Sequence, residues 1–105
     1  EDLAIAVRGK AENHSLAERI LTELLGRERA PLGEPPEVEI LFSPGRGAFS
    51  GRAECNVLVV LEPTRDVSIH ARRAHIVVAD DELSNVATTR RFRLAQFNDA
   101  MESIS

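Results

Sequence analysis

Histidine is the residue type that most readily exchanges a proton near neutral pH, and this sequence has three, His14, His70 and His75. His14 precedes a predicted helix. His70 and His75 are an odd number of residues apart on one predicted strand, so they point to opposite faces unless a bulge realigns them. The sequence also lacks an HExxH or CxxC motif that would supply further metal ligands. We therefore predict no catalytic histidine, no metal site and no cofactor.

Cys55 is the only cysteine, so it cannot form an intramolecular disulfide. It lies within a predicted strand, on the face that carries Val57 and Val59, with no neighbouring base to generate a thiolate. We expect a buried structural thiol rather than a nucleophile.

Two glycine-containing segments have the composition of functional loops without their spacing. In residues 47–51, Gly-Ala-Phe-Ser-Gly, the serine stands one position late for the GxSxG motif of a nucleophile elbow. Residues 43–47 lack the Gly-Lys-Ser/Thr ending and the following helix of a phosphate-binding loop. We predict a hairpin turn there and no catalytic residue in the chain.

Basic residues surround an aromatic ring at positions 90–93, and Arg72 and Arg73 fall on a neighbouring predicted strand. Some RNA-binding domains stack bases on a basic sheet face with aromatic rings. The net charge of -4 and the presence of only four aromatic residues argue against nucleic acid as a partner. A charged sheet edge that discourages aggregation explains the same residues. The candidate binding residues are Arg72, Arg73, Arg90, Arg91 and Phe92.

Hydrophobic spacing predicts the first two elements. A short apolar run at residues 3–8, followed by Gly9, predicts a strand. Ser15 and Glu18 have the spacing of a capping box, and apolar residues then recur every four positions up to Gly26. This pattern predicts a helix that begins at Ser15 and ends at Gly26.

Alternation of apolar and polar residues predicts four more strands. They cover residues 37–42, 53–62, 67–78 and 86–94, and the second of these is apolar on both faces near its end, as in a central strand. A shift of phase at Arg72 and Arg73 indicates a β-bulge. A helix that begins near Thr89 competes with the last strand, and the helical spacing of Phe97, Met101 and Ile104 predicts a terminal helix.

The predicted element order is β-α-β-β-β-β-α within one domain, residues 1–105. Short turns between strands favour antiparallel pairing. The fold class expected is therefore α+β, a two-layer sandwich with a mainly antiparallel sheet and two helices on one face. A 105-residue chain with 43% hydrophobic residues can bury such a core, and it has no apolar run long enough to span a bilayer.

This element order, with residues 86–92 leading into the helix of Phe97 and Met101, resembles small bacterial envelope lipoprotein domains. These are the auxiliary lipoproteins of ABC-type transport systems and the lipopolysaccharide-assembly lipoprotein group. The resemblance implies a periplasmic or envelope component that is not an enzyme, with a lipid anchor outside this chain. It also implies a protein or amphiphile as the binding partner, and it transfers no functional residue.

The function expected from the sequence is therefore that of a non-enzymatic accessory or interaction domain of an envelope protein. Two alternatives stay open: a cytoplasmic nucleic-acid-binding module that uses the arginines, and a small enzyme or ligand carrier with a pocket between helix and sheet. An open sheet has two edges, so a homodimer formed through an edge strand is a further expectation.

Overall fold

In the computed structural model, five strands form one sheet in which every neighbouring pair runs parallel. The structure describes residues 4–11, 14–28, 35–43, 47–80 and 90–104. The elements along the chain are β1 (Ile5–Arg8), α1 (Ser15–Arg27), β2 (Val38–Ser43), β3 (Cys55–Val60), α2 (Val67–Ala71), β4 (Ile76–Ala79), β5 (Arg91–Phe92), a 3-10 turn (Leu94–Gln96) and α3 (Phe97–Glu102).

The predicted α+β sandwich with a mainly antiparallel sheet is wrong, because all four strand pairs are parallel and the chain forms an α/β fold. The strands lie side by side in chain order, β1-β2-β3-β4-β5. β2 and β4 are buried along their whole length, which is typical of parallel strands covered on both faces. The hairpin turn predicted at 43–47 is also wrong, since the chain must cross the length of the sheet between parallel β2 and β3.

The strand predicted at 67–78 is wrong in its first half, where the chain forms α2. Val67 and Ala71, one helical turn apart, are buried, whereas Ile69 between them is 59% exposed. In residues 67–71, Val, Ile and Ala alternate with polar residues. Over so short a segment, this spacing fits a strand and a helical turn equally well, so the sequence could not distinguish the two. Arg72 and Arg73 lie in the turn after α2, and the predicted β-bulge is absent from this described segment.

Each face of the sheet carries its own apolar core. The face covered by α1 and α3, here the α1 face, includes strand residues Ile5, Val38, Ile40, Phe42, Val57, Val59, Ile76 and Val78. The opposite face, here the α2 face, packs Phe49, Val67 and Ala71 on strand residues Leu41, Leu58, Val60, Val77 and Ala79. The predicted placement of both helices on one face holds for α1 and α3, and α2 is the additional helix that covers the other side.

The two helical crossovers have opposite handedness. β1-α1-β2 and β3-α2-β4 both step in the same direction across the sheet, but α1 and α2 cover opposite faces. One of the two crossovers therefore departs from the right-handed connection that nearly all parallel strand pairs adopt.

Helix α1 begins where the sequence predicted, but its capping residue is different. His14 is the N-cap, and its Nδ1 accepts a hydrogen bond from the backbone N–H of Ala17 at 3.3 Å. Ser15 is the first helical residue, so the predicted capping box of Ser15 with Glu18 is not formed. The helix continues through Gly26 to Arg27.

The last part of the chain is confirmed in part. Helix α3 buries Phe97 and Ala100 against the α1 face, as its spacing predicted. Of the strand predicted at 86–94, only Arg91 and Phe92 form β5 among the described residues. Residues 86–89, including the competing helix start near Thr89, lie outside the described residues.

Candidate functional site

The carboxyl ends of β4 and β5 form a crevice at one edge of the sheet. In α/β proteins, ligands commonly bind outside the carboxyl ends of the strands. Here β3 is followed by α2 on one face, and β5 is followed by the 3-10 turn and α3 on the other.

A cavity of about 310 Å³ occupies this position, and we name it the carboxyl-edge cleft. Its lining residues are Ala79, Asp80, Arg91, Phe92, Arg93 and Gln96. They come from the end of β4, from β5 and from the 3-10 turn that follows it. The cleft thus depends on the short pairing between β4 and β5.

The register of β5 determines which side chains share a face of the sheet. Arg91 pairs with Val77 on the α2 face, and Phe92 pairs with Val78 on the α1 face. Arg93 keeps an extended backbone, with φ -84° and ψ 160°, so the alternation continues and returns it to the side of Arg91. Arg91 and Arg93 therefore stand two residues apart on one side of β5, and both line the cleft.

Two hydrogen bonds hold the segment that carries these arginines. The Asp80 carboxylate accepts, through Oδ1, from the backbone N–H of Leu94 at 2.9 Å. The Gln96 side chain accepts, through Oε1, from the backbone N–H of Arg93 at 3.0 Å. The first bond ties the end of β4 to the 3-10 turn, and the second leaves Nε2 as the donor of the Gln96 amide.

Comparisons of this chain with known proteins give no relative from which a role could be transferred. No protein family, curated protein or solved structure matches the chain. Among the residues that the structure describes, no helix is long and apolar enough to cross a membrane.

The structure divides the binding residues predicted from the sequence between two edges of the sheet. Arg91 and Phe92 line the carboxyl-edge cleft, whereas Arg72 and Arg73 lie beyond the amino end of β4. Arg90 precedes β5 on that same amino edge, and its Nη1 donates to the carbonyl oxygen of Ser103 at 3.2 Å.

The ring of Phe92 packs against the α1-face core and is half-buried, so it does not lie on an open sheet face of the kind that stacks bases. Sequence reasoning left Arg93 and Gln96 out of the candidate set. Both line the cleft because the chain turns directly after β5. The strand predicted from the sequence continues to residue 94, so the prediction did not place this turn.

The histidines have separate positions in the structure. His70 lies on α2, with its ring edge-on to Phe49 at a centroid distance of 6.5 Å. His75 precedes β4, and its Nδ1 accepts from the backbone N–H of Asn56 at 2.9 Å. The prediction that His70 and His75 share one strand is thus wrong. Within the described ranges, no three His, Cys, Asp or Glu side chains are grouped closely enough to hold a metal ion.

A buried carboxylate anchors the connection between β2 and β3. Glu39 is 1% exposed on β2, and its side chain accepts hydrogen bonds from both the backbone N–H and the hydroxyl of Ser50. On the adjacent strand, the amide of Asn56 donates to the carbonyl oxygen of Arg73, and its Oδ1 has no partner in the described part of the chain. These contacts hold loop residues against the α2 face rather than lining the cleft.

Cys55 is the first residue of β3, and it packs on the α1 face with Val57 and Val59, as predicted. Its side chain is half-buried rather than buried. Burial raises the pKa of its thiol, while the positive charge of Arg90 acts in the opposite direction. A raised pKa means that less thiolate, the reactive form, is present at neutral pH.

We expect Cys55 to react with iodoacetamide at pH 7.5 about tenfold more slowly than glutathione, because thiolate fraction and access are both reduced. The rate should rise to that of an ordinary thiol after unfolding in urea, which serves as the control. Mass spectrometry of the alkylated protein measures both rates. Equal rates for the folded and unfolded chain would contradict the expectation.

Proposed function

We propose that this domain is a non-enzymatic module that binds a phosphate-bearing small molecule in the carboxyl-edge cleft. The observation that carries the proposal is the placement of Arg91 and Arg93 on one side of a single cavity at the carboxyl edge of a parallel sheet. This is the ligand-carrier alternative of the sequence analysis, with its pocket at the end of the sheet instead of between helix and sheet.

Phosphate is the anion that this arrangement suits best. An arginine guanidinium presents several N–H donors in one plane, and it binds two oxygens of a phosphate at once. The Gln96 amide, which also lines the cleft, supplies a further donor. A cavity of about 310 Å³ is at the small end of the usual range for ligand sites, so it admits a phosphate group with a small organic part.

The lining groups favour binding over catalysis. Guanidinium and amide groups hold an anion without exchanging protons near neutral pH. The carboxylate in the cleft, that of Asp80, already accepts from the backbone of Leu94. Among the described residues that line the cleft there is no serine, cysteine or histidine.

Two roles predicted from the sequence stay predictions. The resemblance to envelope lipoproteins, with its protein partner and lipid anchor, depended on an element order that differs from the observed one. Nucleic-acid binding would use the same guanidinium groups on phosphodiesters. An oligonucleotide therefore belongs in the test, because tight binding of the polymer alone would favour that role over the one proposed.

The test measures the affinity of the protein for adenosine monophosphate, inorganic phosphate and a single-stranded oligonucleotide by calorimetry at low ionic strength. We expect the mononucleotide and inorganic phosphate to bind in the cleft. Arg93→Ala should lower the mononucleotide affinity at least about tenfold, since a hydrogen bond to a charged group contributes about 1.5–3 kcal/mol. Arg93→Lys should recover only part of it, because lysine cannot form the paired contact.

Arg19→Ala is the matched control, because Arg19 is exposed on α1 and the substitution makes the same change in net charge. The affinity of the Arg19→Ala variant for the mononucleotide should stay within about twofold of the wild-type value, as expected when only a distant charge is altered. Equal losses in Arg19→Ala and Arg93→Ala, or binding of the oligonucleotide without the mononucleotide, would overturn the proposal.

A further inference from the structure

Helix α2 carries an exposed apolar side chain on its outer surface. Ile69 is 59% exposed, and among the described residues Leu25 on α1 is the other large apolar side chain that is mostly exposed. Val67 and Ala71 point into the α2-face core, so Ile69, midway between them on a short helix, points away from the sheet. Its apolar surface can therefore be buried only by a partner.

Three arginines surround Ile69. Arg65 stands four residues before it, and Arg72 and Arg73 stand three and four residues after it, spacings that place side chains next to one another on a helix. The backbone keeps helical dihedral angles from Asp66 to Arg72, so this spacing extends to the residues that flank α2. All three arginines are exposed. We name Ile69 and these three arginines the α2 patch.

The guanidinium groups of the α2 patch are free to bind a partner. Within the described ranges, the side chains of its three arginines make no hydrogen bond or ion pair. The backbone carbonyl oxygens of Arg65 and Arg73 are engaged instead, since they accept from the side chains of Ser68 and Asn56. Residues 65–73 contain three arginines and one aspartate, a net charge of +2 in a chain whose net charge is -4. The α2 patch is thus a positive surface with an apolar centre.

This combination fits the surface of an anionic lipid bilayer. Guanidinium groups donate to lipid phosphates at the level of the headgroups, while an apolar side chain between them enters the boundary with the acyl chains. Each arginine near an anionic surface adds to the attraction. A single helix lying on a sheet presents a convex outline, which suits a flat partner. On a nucleic acid the arginines would find phosphates, but the side chain of Ile69 would gain no apolar contact from them.

We propose that the α2 patch docks this domain on an anionic membrane surface, with Ile69 inserted among the lipid headgroups. The rest of the chain carries the excess of acidic residues, so an anionic surface repels it and turns the α2 face toward the lipid. This docking does not depend on ligand binding in the carboxyl-edge cleft.

Cosedimentation of the protein with vesicles measures the docking. One set of vesicles contains phosphatidylcholine alone, and the other contains phosphatidylcholine and phosphatidylglycerol in equal parts. At low ionic strength we expect binding to the anionic vesicles only, and added salt should abolish it by screening the charges. Arg72→Gln should lower the partition coefficient about fivefold, and Arg72→Gln combined with Arg73→Gln about 25-fold, because each arginine near the surface contributes separately.

A matched pair of truncations tests the apolar centre of the α2 patch. Ile69→Ala should weaken binding to the anionic vesicles about fivefold, since less apolar surface enters the lipid. Leu25→Ala removes a side chain of the same size and similar exposure from the opposite face, and it should leave binding unchanged. Equal losses in the two variants would overturn the inference. Equal binding to both kinds of vesicle, or binding to neither, would overturn it as well.

Two further measurements distinguish the α2 patch from other anion sites. Arg93→Ala alters the carboxyl-edge cleft, and its binding to anionic vesicles should stay within about twofold of the wild-type value. A loss as large as that of Arg72→Gln would show that lipid phosphates bind in the cleft, which would contradict docking through α2. Binding of a single-stranded oligonucleotide without binding to vesicles would assign the arginines to nucleic acid instead.

Discussion

Gly9→Ala is expected to lower the free energy of unfolding by about 3 kcal/mol or more, because two separate costs act at this position. Gly9 follows β1 with φ +100°, a conformation that residues with a side chain rarely adopt. A Cβ added there would lie 2.4 Å from the carbonyl oxygen of Phe42, which belongs to the backbone of β2. That oxygen cannot move without disturbing the pairing of β1 with β2.

Substitutions at two other glycines distinguish the cost of the backbone conformation from the cost of the steric clash. Gly51 has φ +80° but no atom within 4 Å of an added Cβ, so Gly51→Ala should cost only about 1–2 kcal/mol of backbone strain. Gly26 lies inside α1 with open space around it, and Gly26→Ala should stabilise the protein by up to about 1 kcal/mol. The chain contains neither Trp nor Tyr, so urea unfolding is best followed by far-ultraviolet circular dichroism. A cost for Gly9→Ala no larger than that for Gly51→Ala would contradict the proposed clash.

Phe42→Ala is expected to cost about 3–5 kcal/mol, the range found when a buried aromatic side chain is removed from a core. Phe42 is 0% exposed and is the largest of the fully buried side chains among the described residues. It lies near the end of β2, on the α1 face, so its removal leaves a cavity between the sheet and its helices. For a small domain this loss is a large part of the total stability, and Tm should fall with it.

Ile69→Ala provides the contrast for a large apolar side chain outside the core. Ile69 lies on α2 and is 59% exposed, so its truncation should change the free energy of unfolding by no more than about 0.5 kcal/mol. The same urea titration measures both variants. If Ile69→Ala destabilises the protein as much as Phe42→Ala, the side chain of Ile69 is buried in solution and the described packing of α2 is incorrect.

The sequence predicted the strands better than it predicted their directions. Alternation identified β2 and β3, the central position of β3 and the face of Cys55, because burial on a pleated strand leaves a period of two. Alternation could not show whether neighbouring strands pair parallel or antiparallel, because this depends on the path of the connection between them. Residues 47–54 cross the length of the sheet without a helix, and a short polar connection of this kind reads like a turn.

For the candidate sites as well, the sequence identified individual residues but not how the fold brings them together. Arg91 and Phe92 were identified from their types alone, because basic residues beside an aromatic ring are typical of sheet faces that stack RNA bases. That Arg93 and Gln96 line the same cleft could be predicted only by knowing where β5 ends.

A strand order that equals the chain order has a consequence for how the protein folds. Each strand pairs only with strands next to it in the sequence, as Val38 does with Cys55 and Val77 with Arg91. No strand has to wait for a later one to insert between itself and its neighbour, so the sheet can grow from β1 toward β5 during synthesis. Opening should then begin at the last and shortest strand, and amide hydrogen exchange should be fastest at β5 and slowest at β2 and β3.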